Sequence, residues 1–63
     1  MMAFILEMDG VRCLSLPIND NGMIGEMLLP LPQGKTFAGV AWKDLVPGMS
    51  IEVTDEEVRA LEP

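Results

Sequence analysis

Three short stretches of this 63-residue chain carry residue types that do chemistry in other settings. Gln33-Gly34-Lys35-Thr36 ends like a phosphate-binding loop, whose backbone amides and lysine cradle phosphate oxygens. That loop needs a glycine five positions before Gly34, where Leu29 stands, and the proline-rich lead-in is wrong for it. Asn19-Asp20-Asn21-Gly22 has the look of part of a calcium loop. Aligning Gly22 with the invariant glycine puts Pro17 and Leu28 at ligand positions that require carboxylates, so a turn is the better reading. Asp55, Glu56 and Glu57 could pair for acid–base work, but their place at a helix start already accounts for them.

Nucleophiles lack a base. The chain has no histidine, so Ser15, Thr36 and Ser50 have no partner of the usual kind. Cys13, the single cysteine, lies among apolar neighbours and reads as an inert core thiol. One cysteine forms no internal disulfide, and without histidine the common zinc ligand sets are missing. The expectation is a non-enzyme with no cofactor and no metal.

Binding residues are easier to nominate. Trp42, the only tryptophan, suits an interface anchor, although a chain with only Phe4, Phe37 and Trp42 as aromatics also needs them for its core. Methionine adapts to irregular surfaces, which singles out Met23 and Met27 as contact residues. Asp44, Glu52, Asp55, Glu56, Glu57 and Glu62 place six of the ten acids in the last third, against Lys43 and Arg59. From this set Asp55, Glu56 and Glu62 are the candidates for attracting a basic partner or imitating a phosphate backbone. Leu29-Pro30-Leu31-Pro32 lacks the spacing of a polyproline ligand and reads as an extended surface loop.

The elements that position these residues can be read from turns and periodicity. Residues 3–8 and 11–16 flank Asp9-Gly10, a dipeptide that accepts the positive φ angles of a type I′ hairpin turn. A two-residue loop pairs Met8 with Val11, Glu7 with Arg12, Leu6 with Cys13, Ile5 with Leu14, Phe4 with Ser15 and Ala3 with Leu16. Both faces of this hairpin are apolar, one with Phe4, Leu6, Met8, Val11 and Cys13, the other with Ala3, Ile5, Leu14 and Leu16. A hairpin solvated on one side is polar on that side, so each face here calls for a cover. Glu7 and Arg12 form an opposite-charge pair across the strands.

Pro17 interrupts the second strand, a polar cluster follows, and Asn21-Gly22 makes a second hairpin turn into a strand at 23–29. Gly25 suggests a bulge or a close backbone approach there. Residues 35–42 alternate weakly and favour a strand over a helix by composition. Val46-Pro47-Gly48-Met49 is a type II turn before a half-buried strand with Met49, Ile51 and Val53 on one side. Thr54 and Glu57 form a capping box, Asp55 and Arg59 an i,i+4 pair, and Pro63 stops the helix after about two turns.

The expected fold is one domain over residues 1–63, mainly β: a small antiparallel barrel or bent sheet of four or five short strands with a short C-terminal helix. The formal charge of −6 repels nucleic-acid backbones, so no direct nucleic-acid contact is expected. The apolar opening has no basic region and soon meets Glu7 and Asp9, unlike a secretion signal, and no apolar run is long enough to span a membrane. These features point to a cytoplasmic, non-catalytic binding module whose partner is another protein or itself, as an oligomer. An acidic decoy that occupies a nucleic-acid-binding site, and a structural subunit of a larger assembly, are the alternatives.

Overall fold

A computed structural model describes residues 1–62. The expected helix stop at Pro63, and the last residue of the expected domain, lie outside the described residues. Strands β1 (Met2–Met8), β2 (Val11–Asp20), β3 (Met23–Pro30) and β4 (Ser50–Glu52) form one antiparallel sheet in the order β3-β2-β1-β4. Helix α1 (Asp55–Leu61) closes the chain, and a 3₁₀ turn spans Trp42–Asp44. The sheet is open, with β3 and β4 as its edges. The mainly β fold is as the sequence implies.

Two dipeptides set the meander. Asp9 and Gly10 have φ of 52° and 79°, and Asn21 and Gly22 have 52° and 82°. Positive φ at both central residues matches the twist of the flanking strands, which holds each loop to two residues. The first hairpin takes the expected register from Met8–Val11 through Phe4–Ser15.

Pro17 acts differently from expectation. It does not interrupt β2, which runs on to Asp20 opposite β3. In a two-residue hairpin the closing pair exchanges two hydrogen bonds, and every second pair does so thereafter. Counting from Met8–Val11, the next bonded pair after Phe4–Ser15 would join Met2 to Pro17, which has no amide hydrogen. The β1–β2 pairing stops at Phe4–Ser15, short of the expected pair between Ala3 and Leu16. Toward β3, Pro17 and Pro30 fall at positions that exchange no hydrogen bonds, so that ladder continues from Asp20–Met23 to Cys13–Pro30 without a break. Gly25 sits in this continuous register opposite Ile18 with open space around it, so it marks neither a bulge nor a close approach. Beyond Pro17, β2 and β3 pair only with each other and form a two-stranded arm.

One face of the sheet holds the core. Ala3, Ile5, Leu14, Leu16, Leu29 and Ile51 point to it, and Leu31, Phe37, Leu45, Val53 and Val58 cover them. Leu31 is therefore core, whereas the sequence places the Leu-Pro-Leu-Pro segment near the surface; the Leu31 amide donates to the Arg12 carbonyl at 2.9 Å, which draws its side chain inward. The expected strand at 35–42 is a turn instead. Ala38 and Gly39 have φ of 52° and 77°, and Phe37 and Val40 exchange two 2.9 Å backbone hydrogen bonds around them. The chain then enters the 3₁₀ turn. The alternation of apolar residues there reflects a tight reversal and not a strand.

The later part follows its local signals. The Met49 amide donates to the Val46 carbonyl at 3.2 Å across the Pro47-Gly48 turn, with Gly48 at φ 95°. The Gly48 amide donates to the Ile5 carbonyl at 2.7 Å and the Ile5 amide to the Met49 carbonyl at 2.9 Å, which docks this turn on β1 ahead of β4. Thr54 caps α1: the Glu57 amide donates to Thr54 Oγ1 at 3.2 Å, and the Thr54 amide to Glu57 Oε1 at 2.8 Å. A helix of seven residues has little stability of its own, so this box and the burial of Val58 hold it. Replacing Thr54 with Ala is expected to cost ~1 kcal/mol. In a domain of this size that lowers Tm by about 4–8 °C, readable by thermal melting under circular dichroism.

Candidate functional site

Two surface features stand out. The first is a cleft of about 230 Å³ at the turn end of the first hairpin, lined in part by Glu7, Arg12, Gln33 and Trp42. Arg12 is opposite Glu7 in the register, yet its guanidinium turns away from that carboxylate. It lies 4.6 Å from the centre of the Trp42 ring, and its Nη1 donates to the Trp42 carbonyl at 2.9 Å. The expected cross-strand ion pair does not form, since among the described residues the one ion pair joins the Met1 ammonium to Glu52 at 3.0 Å. A ring face and a carbonyl together offer Arg12 a cation–π contact and a hydrogen bond, which outweigh an exposed ion pair worth well under 1 kcal/mol. The expected Asp55–Arg59 pair is also absent among the described residues.

The second feature is the sheet face opposite the core. Alternation places Met2, Phe4, Leu6 and Met8 of β1, Val11, Cys13 and Ser15 of β2, and Ile24, Glu26 and Leu28 of β3 on it. Met2, Phe4, Met8 and Val11 are each about half exposed, and Ile24 is 88% exposed. No segment of the described chain lies over these residues in the way that Leu31, Phe37, Leu45 and Val58 lie over the core face. The face has a polar clasp: Ser15, itself buried, donates its hydroxyl to Glu26 at 2.6 Å on the diagonal of the β2–β3 register. This short charge-assisted bond ties β2 to β3 across the diagonal.

The residues singled out from sequence do not come together. Trp42 is half-buried against the core under Arg12. Met23 is 77% exposed beside the tip of the arm, while Met27 packs on the core margin. Arg12 and Asp20, the neighbours of Trp42 and Met23, are eight residues apart along β2, about 27 Å in extended chain. Asp55 and Glu56 are exposed in the first turn of α1, whereas Glu62 caps its far end, about 10 Å along the axis. Glu57, between them, is held by Thr54. Phe4, Met8 and Val11 are legible in the sequence through the two-sided apolar hairpin; Ile24 is not, because one strand candidate alone does not show which side will be covered.

Cys13 is free and buried, with its Sγ 3.8 Å from the Val11 carbonyl, on the outer face and not in the main core. Among the described residues no group of three His, Cys, Asp or Glu side chains is placed to hold a metal ion. Among the described residues no helix is long and apolar enough to cross a membrane. The chain matches no protein-family model, and comparisons with curated proteins and with solved structures give no match.

The Arg12 geometry carries its own test. Arg12→Ala removes the ring contact and the carbonyl hydrogen bond and is expected to cost about 1–2 kcal/mol. Glu7→Gln is expected to stay within about 0.5 kcal/mol of the parent, because no ion pair is lost. Urea unfolding followed by Trp42 fluorescence reads both.

Proposed function

We propose that the chain is a non-catalytic, cytoplasmic protein-binding module that works through the outer face of its sheet. The observation that carries this reading is the contiguous set of half-exposed Met2, Phe4, Met8 and Val11 on the paired part of β1 and β2. Isolated apolar residues on a surface are ordinary, but a continuous apolar patch on a small domain goes with an interaction site. Phenylalanine and methionine at its centre have the chemistry of interface anchors. Met23 at the arm tip and Trp42 at the cleft lie outside this face and serve as secondary contacts at most.

The acidic-decoy reading draws less support. Asp55 and Glu56 are separated from Glu62 by the length of α1, and Glu57 is engaged in the capping box. A phosphate imitation needs a row of free carboxylates.

Phe4→Lys and Val11→Lys are expected to weaken partner binding at least about tenfold while leaving the circular dichroism spectrum unchanged. Neutralising Asp55, Glu56 and Glu62 together is expected to change it less than about threefold. Quantitative retention of host proteins on the immobilised chain and its variants measures this; a reversed order of effects replaces the apolar face with the acidic one.

A further inference from the structure

Resting on the binding-module reading, we propose that the occupant of the outer face is a second copy of this chain, packed face to face about a two-fold axis. Charge distribution argues for it. A copy carrying −6 is a poor partner for another unless the acids are kept away from the contact. They are: of the ten acids, only Glu26 and Glu52 belong to outer-face positions of the strands. Each of these is met within its own protomer, Glu26 by the Ser15 hydroxyl and Glu52 by the Met1 ammonium. Asp55, Glu56, Glu57 and Glu62 belong to the layer of α1, on the other side of the sheet. No lysine or arginine occupies an outer-face strand position, and of the two carboxylates there Glu52 is neutralised by the Met1 ammonium.

Area sets the strength. With 3.4 Å per residue and about 4.8 Å between strands, the four strands project about 450 Å². Two such faces bury about 1,000 Å² once side-chain relief is included, at the low end of specific interfaces. An interface of this size is that of a reversible dimer and not of an obligate one. Two-fold packing of sheet on sheet also gives the closed assembly that self-complementary faces favour.

Sedimentation equilibrium from about 1 to 300 μM tests this. The expected mass rises from 6.9 kDa toward twice that value with concentration. Phe4→Lys raises the dissociation constant at least about tenfold, and Met8→Lys, at the solvent-exposed turn end, does the same if the first variant folds poorly. Added salt tightens the pair, because it screens repulsion between like-charged copies, where a cationic partner would be loosened. A chain that stays monomeric to about 300 μM overturns the self-pairing; if its host-protein retention still falls with Phe4→Lys, the binding-module reading stands, and if neither is seen, both fall. A dimer insensitive to both lysine variants, or one that salt disperses, also overturns face-to-face packing.

Discussion

A sheet has two faces, and the described residues outside its strands cover one of them. Every other feature answers to that limit. The segment between β3 and β4, with the short helix, delivers Leu31, Phe37, Leu45, Val53 and Val58 to the core side, where Ile5 and Leu14 are fully enclosed. No described segment lies over the other side, yet the sequence keeps that side apolar at Met2, Phe4, Met8 and Val11. Hydrophobic burial is the main force available to a small domain with a single cysteine, and the outer face leaves part of it unused within the protomer.

Hydrogen-bond supply decides where the sheet changes character. Pro17 withholds the amide that a longer β1–β2 ladder needs, and from there two strands continue alone. Pro30 is placed where its missing amide faces the open edge of β3, which blunts that edge against unwanted strand addition. Both prolines thus limit pairing on the side away from the β2–β3 ladder and leave that ladder whole. Arg12 shows a similar selection among partners, preferring an aromatic face and a carbonyl to the carboxylate directly across from it.

How much of this is legible in sequence depends on how local its cause is. Asp9-Gly10, Asn21-Gly22 and the Thr54–Glu57 box are decided within four residues, and their geometry follows from their chemistry. Ala38 is different: an alanine at φ 52° runs against its own preference and is held there by the Phe37–Val40 reversal, so residues 35–42 read wrongly as a strand. The consequence of Pro17 appears only after the register is counted through to Met2. Of the candidate site, the two-sided apolar hairpin was visible, but which face stays open depends on where Leu31, Phe37 and Leu45 return, a matter of tertiary packing. Rarity and charge mark Trp42 and the C-terminal acids in the sequence, and packing gives Glu52, Glu57 and Trp42 local duties.

The attachment of β4 to β1 bears on how the molecule comes together in time. The first three strands are joined by turns of two residues, so their contacts close quickly with small loops. Seating Ile51 opposite Ala3 instead gathers a loop of nearly fifty residues, and it brings with it the docking of Gly48 and Met49 on Ile5 and the enclosure of Leu45 and Val53. Contact order thus assigns the meander to an early stage and the seal on its core face to a late one. Until β4 is seated, both sides of the hairpins lack a cover.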